Sequence, residues 1–241
     1  MPRRLNIVLP AYNEAGNIAA TIHSLMDSGI SADSGVTVTV VDDGSTDGTG
    51  SICEQLRGQY PRLFLIHHPA NRGYGAALIS GFRAVDSEFI AIMDSDGQFE
   101  AHDLLRLFDC AQDWDVVAGY RRPRADPWAR RMLGALWTRI GRLFFSVPLK
   151  DLNCGLKIIR RCVLADVSFQ CQGPGINLDI MSQLVAAGVR IRQLPCRHLP
   201  RTCGKQTGGG RRAVLQALPE LAQLWRRQRR TQRSARGAPA P

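Results

Sequence analysis

Long hydrophobic runs are missing from this chain. Nowhere in its 241 residues do about 18 uncharged apolar residues follow one another, so no segment reads as a bilayer-spanning helix. A signal-peptide core is also lacking. Met1-Pro2-Arg3-Arg4 passes straight into a strand pattern, and a cytoplasmic location is expected. The cysteines Cys53, Cys110, Cys154, Cys162, Cys171, Cys196 and Cys203 are scattered, odd in number and without any Cys-x-x-Cys spacing. That argues against a disulfide framework or a zinc site and suits a reducing compartment. Neither an internal repeat nor an interdomain linker divides the chain, and its length and 44% apolar content suit one core. Negative charge is in short supply: 21 Asp and Glu stand against 31 Lys and Arg, a net +10 concentrated in the second half. Such an excess implies an anionic partner, which can be nucleotide phosphate, an acidic membrane surface or nucleic acid. For nucleic acid the signal is poor. Trp225 and the arginines of 226–236 come with no stacking platform or recognition motif, so anionic lipid or simple solubility fits them better.

What the chain does have is alternation. Residues 5–10, 36–41, 63–67, 90–93 and 115–119 are short apolar, often β-branched runs that read as strands. Between them lie helical patterns at 17–27, 47–58, 75–85 and 102–112. Short connections between such elements mean right-handed βαβ units and a mostly parallel sheet in an α/β fold. Polar turn residues gather where strands one, two, four and five end, which puts them on a single rim. The second half predicts strands at 157–160 and 189–194 and helices at 127–145, 176–187 and 211–230, with a mobile loop at 201–210 and a disordered tail at 231–241. The 127–145 helix is amphipathic, with arginines interleaved. It is expected to pack on the sheet for most of its length, leaving Trp and Phe near one end available for lipid.

The fourth strand ends abruptly in Met93-Asp94-Ser95-Asp96-Gly97-Gln98. Extended backbone sends side chains i and i+2 to the same face, so Asp94 and Asp96 can converge just past the strand's carboxyl end, where open α/β sheets hold ligands. Two carboxylates so close repel unless they share a cation or a proton. With the Gln98 oxygen they form an oxygen-only set suited to Mg²⁺ or Mn²⁺. The plainer alternative is a strand-end turn that caps the next helix. Asp43, at another strand end, can accept from base N–H groups or ribose hydroxyls, whereas Asp47 is expected to cap the following helix. The glycines of Asn71-Arg72-Gly73-Tyr74-Gly75 let backbone approach either a ligand or the sheet. His67 and His68 have no ligand-like companions and read as structural.

In order, Leu9-Pro10-Ala11-Tyr12-Asn13-Glu14, Val41-Asp42-Asp43-Gly44-Ser45-Thr46-Asp47-Gly48-Thr49, Asn71-Arg72-Gly73-Tyr74-Gly75-Ala76-Ala77 and the Asp94 motif resemble those of the inverting family 2 glycosyltransferases of the GT-A fold. Ala118-Gly119-Tyr120-Arg121, Asp151-Leu152-Asn153-Cys154-Gly155-Leu156-Lys157, Ile176-Asn177-Leu178-Asp179-Ile180 and Pro200-Arg201-Thr202-Cys203-Gly204 point to the dolichyl- or polyprenyl-phosphate mannosyl/glucosyltransferase branch. The resemblance spans roughly residues 4–225. It implies a single Rossmann-like GT-A domain over 1–225 and a basic tail over 226–241. By the same resemblance Pro10, Tyr12, Glu14, Val41, Asp43, Asp94 and Ser95 sit at a GDP- or UDP-linked sugar, and Asp94, Asp96 and Gln98 hold the metal. Arg121 and Arg201 clamp phosphates, with Asp96, Arg121 and Asp151 in catalytic positions. The family commonly carries a lysine six positions after Arg201; here Thr207 stands there, with Lys205 nearby.

The acceptor decides whether a base is needed. A hydroxyl must lose a proton to a positioned carboxylate, for which Asp151 or Asp179 is available. A polyprenyl phosphate is already anionic and needs only cations to dock, for which Arg130, Arg131 and Lys150 lie in the right region. The expected enzyme is peripheral to the cytosolic membrane face, alone or with a separate anchoring protein.

Overall fold

The computed structural model describes residues 4–28, 35–204 and 211–237. Its centre is a seven-stranded sheet in the order β3-β2-β1-β4-β6-β5-β7. The strands are β1 (Leu5–Ala11), β2 (Val36–Asp42), β3 (Leu63–His67), β4 (Phe89–Ile92), β5 (Val116–Arg121), β6 (Lys157–Arg160) and β7 (Ile191–Cys196). Only β6 runs antiparallel to its neighbours, so the other six end on one rim. The expected mostly parallel α/β sheet is what forms.

Side-chain alternation explains the layers. In β4, Phe89 and Ala91 join one apolar cluster with Met93 just beyond, while Ile90 and Ile92 join the other. On β1, Leu5, Ile7 and Leu9 face the first cluster and Val8 the second. A slip of one residue would exchange the two sets, and each buried Leu or Ile is worth about 1.5–3 kcal/mol, so register is firmly held. Helices α1 (Ile18–Asp27), α2 (Thr49–Gln59) and α4 (Ala101–Cys110) cover the first face. Helices α3 (Tyr74–Ala84) and α7 (Ile176–Ala186) cover the second, with one end of α5 (Trp128–Phe145) and Leu224 of α8 (Arg211–Gly237). The short α6 (Arg161–Leu164) follows β6 directly. Between β1 and β4 the strand order reverses, which opens a crevice at their carboxyl ends.

Two expectations change. Packing of α5 on the sheet holds for Thr138, Gly141 and Phe145, which are buried, and for Trp137 and Ile140, partly buried against the second cluster; Trp128, Met132, Leu136, Leu143 and Phe144 point outward. The apolar stripe of this helix is mostly on its uncovered side. Helix α8 continues to Gly237, past the expected end at 230, through a stretch of Arg, Gln and Ala that favours helix. Among the described residues no helix is long and apolar enough to cross a membrane.

Gly81 of α3 lies against β1, and a Cβ there would run into Val8. Gly58 on α2 is exposed, with open space around it. Gly81→Ala should therefore destabilise by about 1–3 kcal/mol, and Gly58→Ala should stabilise by up to ~1 kcal/mol. Urea melts of the two variants check this; equal midpoints would contradict it.

Candidate active site

The turns after β1 and β2 are sewn together. Asn13 takes a positive φ of 55°, a conformation Asn tolerates. Its Oδ1 accepts the Thr46 N–H at 2.8 Å, and its own N–H donates to Ser45 Oγ at 2.9 Å. The Glu14 N–H donates to Thr49 Oγ1 at 2.8 Å and that of Ala15 to Asp47 at 3.1 Å. Asp47 also accepts the Thr49 N–H, but the residue at the cap of α2 is Gly48, so Asp47 joins two turns as well as starting a helix. Pro10 and Val41 are buried. The Pro10 carbonyl accepts the Ser95 hydroxyl at 2.7 Å, which fixes the end of β1 to that of β4. Tyr12 is half-buried on the same rim.

Asp43 is placed differently from the other rim acids. It is buried, and its oxygens accept from His68 at 2.6 Å, the Arg72 N–H at 3.0 Å and the Gly73 N–H at 2.8 Å. His68 is held in turn by Ser80 at 2.8 Å. The carboxylate thus organises the 72–73 loop, and both adjacent histidines are structural: His67 pairs with Asp42 and Glu54.

Glu14, Asp94 and Asp96 meet at the crevice with Arg201, which arrives from the segment beyond β7. One guanidinium nitrogen of Arg201 touches both Glu14 oxygens at 2.8 and 2.7 Å, and another reaches Asp96 at 3.5 Å. Asn17 donates to the same Glu14 carboxylate at 2.8 Å. Asp94 is further inside. The Tyr74 hydroxyl donates to it at 3.2 Å, and a Cβ at Gly155 would collide with its carboxylate, so only glycine leaves room. Burial raises the Asp94 pKa, opposed by the Lys157 and Arg121 charges. Lys157 is itself fully buried, donating to the Cys154 carbonyl and to Asn177 Oδ1 at 3.0 Å. Tyr74, Lys157 and Asn177 were not among the expected site residues. A lone lysine opening an apolar strand is the one signal for them, since lysine is rarely buried unpaired.

Gln98 is buried beside this cluster. Its backbone N–H donates to Asp96 at 3.2 Å, and its side-chain amide donates to the Leu199 carbonyl at 2.9 Å, which ties the strap carrying Arg201 to the Asp94 motif.

Arg121, at the end of β5, grips Asp151 in a bidentate pair at 2.7 and 2.9 Å and also reaches Asp126 at 3.3 Å. Burial opposes the charge of Asp151, but Arg121 outweighs it and holds the carboxyl below its ordinary pKa. Asp126 also pairs with Arg124 at 2.9 Å. Arg130, on the first turn of α5, is half-buried: burial lowers its pKa, while the Asp126 and Asp96 charges favour its cation. Arg131 and Lys150 are exposed, with Lys150 Nζ 4.6 Å from the Tyr120 ring centroid. Asp179 is turned to the 170–171 backbone, α7 and α8. Fully buried, it accepts from Gln170 and Cys171 N–H groups at 2.6 and 3.0 Å, from Gln183 at 2.9 Å and from Arg227 at 2.7 Å. No lone pair of it remains for a substrate proton, which removes it as a base. Lys205 and Thr207 lie outside the described residues.

Among the described residues no three His, Cys, Asp or Glu side chains surround one point. Mg²⁺ and Mn²⁺, however, need only one or two protein carboxylates, the remaining positions going to water and phosphate. Asp94 and Asp96 fit that requirement: both carboxyls are oxygen donors short of positive charge. Burial, reinforced by the Asp94 charge, pushes the Asp96 pKa from 3.8 up to about 7, against the Gln98 N–H and Arg201. Because the folded value lies above the ordinary one, this group's contribution to stability is full below pH 3.8 and is lost as pH rises through about 7. The ligand-free protein should therefore lose melting temperature between about pH 4 and pH 7, and Asp96→Asn should flatten that loss. Calorimetry across pH checks this; parallel curves would refute it.

The profile described as "Glycosyl transferase family 2" matches residues 6–167. The chain is 28% identical to an undecaprenyl-phosphate mannosyltransferase of Micrococcus luteus over 219 residues, covering 86% of this chain and 88% of that one. It is also 28% identical to a polyprenol monophosphomannose synthase of Mycolicibacterium smegmatis, over 88% of this chain and 84% of the other. Among solved structures, mannosyltransferase PcManGT of Pyrobaculum calidifontis, in complex with GDP-Man and Mn²⁺, superposes with a TM-score of 0.65 at 20% identity, covering 100% of this chain and 68% of that one. At that identity the likeness concerns the fold, which is that of the GT-A glycosyltransferases. The chain belongs to glycosyl transferase family 2.

Proposed function

We propose that the protein transfers a hexose, mannose or glucose, from a GDP- or UDP-linked donor to a polyprenyl phosphate, with inversion at the anomeric carbon. The observation that carries this reading is the state of the carboxylates. Transfer to a hydroxyl needs a base. Asp179 is sealed by four donors, and Asp151 is held ionised by Arg121 and is therefore a weak proton acceptor. A phosphate oxygen, already anionic, needs neither. The names of the Micrococcus and Mycolicibacterium relatives point the same way.

Asp94 and Asp96 would hold Mg²⁺ or Mn²⁺, with Gln98 buttressing Asp96, and the ion would neutralise charge on the leaving diphosphate. Tyr12 and Val41 line the rim for the nucleotide, and Asp43 serves it by shaping the 72–73 loop. Arg201, paired with Glu14 and Asp96 when no ligand is present, supplies a cation for the donor phosphates. Arg121 and Asp151 form a rigid wall beside the sugar. Arg130, with Arg131 and Lys150 at the exposed edge, draws the acceptor phosphate in.

The acceptor lives in a bilayer, and α5 fits one. Its outward stripe is apolar, Trp128 being 76% exposed. Its charged residues are Arg130, Arg131, Arg139 and Arg142, without a single Asp or Glu. A peripheral seat on an anionic leaflet, at the cytosolic membrane face, follows, with or without an anchoring partner protein.

Incubation with GDP-mannose or UDP-glucose should give product on undecaprenyl phosphate and none on an alkyl mannoside. Chelation should stop the reaction, and Asp96→Ala should lower kcat by about 100-fold or more. Product on the alkyl mannoside alone would overturn the reading. A Leu136→Glu/Leu143→Glu variant should lose sedimentation with anionic vesicles and keep turnover on a short, water-soluble prenyl phosphate.

A further inference from the structure

Helix α8 bonds the 173–175 backbone directly through one side chain, and its Arg227 pairs with Asp179 at 2.7 Å. Glu220 accepts the Gly173 N–H at 2.7 Å and the Gly175 N–H at 2.8 Å, at the start of α7. Asp179 holds the two preceding amides, those of Gln170 and Cys171, so backbone 170–175 is set by one carboxylate from α7 and one from α8. Glu220 is the only one of the two that comes from the helix whose outer face carries the exposed Leu215, Leu218 and Trp225.

The 170–175 segment in turn backs the loop that carries Tyr74. The Gln172 carbonyl accepts the Ala76 N–H at 2.9 Å. No side chain separates the two loops: a Cβ on Gly73 would lie 2.8 Å from the Gln172 oxygen, and one on Gly75 2.7 Å from the Gln172 carbonyl carbon. Backbone packed this closely transmits displacement, because there is no flexible side chain to absorb it. Tyr74, between those glycines, donates its hydroxyl to Asp94. The continuous path is Glu220, Gly173 and Gly175, Gln172, Gly73 to Ala76, Tyr74 and Asp94.

Granted the donor site proposed above, we propose that Glu220 is a positioning residue for it. Its carboxylate fixes the 170–175 segment, and with it the Tyr74 hydroxyl that orients Asp94, so the seating of α8 sets the affinity for the metal-bound donor. Glu220 touches no substrate. Its removal should therefore act on donor binding and leave the acceptor side unchanged.

The test uses the full chain with Glu220→Ala, Glu220→Gln and Leu107→Val, the last a core variant on the opposite face of the sheet as a stability control. Glu220→Ala should raise KM for GDP-mannose or UDP-glucose about three- to tenfold, with KM for undecaprenyl phosphate unchanged. Glu220→Gln, which keeps one acceptor oxygen, should fall between wild type and alanine, and Leu107→Val should leave donor KM alone. Hydrogen exchange supplies a readout independent of turnover: the Ala76 amide should exchange faster in Glu220→Ala than in Leu107→Val. Unchanged donor KM and unchanged Ala76 exchange in Glu220→Ala overturn the proposal, as does equal loss in Leu107→Val. Should the alanine variant not fold, the glutamine variant decides on the same two readouts. If the wild type turns over no donor but Ala76 exchange responds as expected, the assignment of the donor site fails and the mechanical link stands.

Discussion

Negative charge crowded at the ends of two parallel strands is the constraint around which this molecule is arranged. Strand geometry sends Asp94 and Asp96 to one side, and the β1 turn brings Glu14 to the same place. Water cannot screen the group, because burial is what raises both aspartate pKa values. Only positive charge stabilises it, and the chain supplies some from three directions. Lys157 and Arg121 act on Asp94 from within the fold, and Arg201 closes on Asp96 and Glu14 from the strap after β7. Burial and the Asp94 charge push the Asp96 pKa up to about 7 against these cations, a state that a divalent ion and its diphosphate would complete.

The neighbouring charges are balanced in a different way. Arg121 and Asp151 satisfy each other through two parallel hydrogen bonds, and such pairs are geometrically strict and hard to protonate. Asp43 and Asp179 are equally committed, each to backbone amides of a loop. Five aspartates that look interchangeable in the chain thus divide into two kinds: Asp43, Asp151 and Asp179, whose lone pairs are filled by the protein, and Asp94 and Asp96, which remain short of positive charge. The division favours an acceptor that arrives already charged, and the outward apolar stripe of α5 favours one that arrives in a membrane.

Much of this was legible from residue order. Alternating short apolar runs and helical periods specify a parallel sheet because local spacing and burial of both faces demand it, and the Asp94 motif falls at a strand end for the same reason. The side of α5 that would be covered was not legible. Amphipathicity locates a stripe but does not say what lies against it: Trp137, Thr138, Ile140, Gly141 and Phe145 turn inward, while Trp128, Met132, Leu136, Leu143 and Phe144 do not. Nor was the fate of Asp43, since hydrogen bonds to Arg72 and Gly73 amides depend on a loop 29 and 30 residues away. Tyr74, Lys157 and Asn177 converge beneath Asp94 from three separate segments, and no spacing in a linear chain reports such a meeting.

The central claim is that the 94/96 carboxylates await a divalent cation carried with a nucleoside diphosphate. Electron paramagnetic resonance of Mn²⁺, titrated into the protein with and without GDP or UDP, addresses it directly. Free Mn²⁺ signal should fall on adding protein, further with nucleotide present, and Asp96→Asn should abolish the change. Full free signal with wild-type protein and either nucleotide, or binding undiminished in Asp96→Asn, would contradict the account.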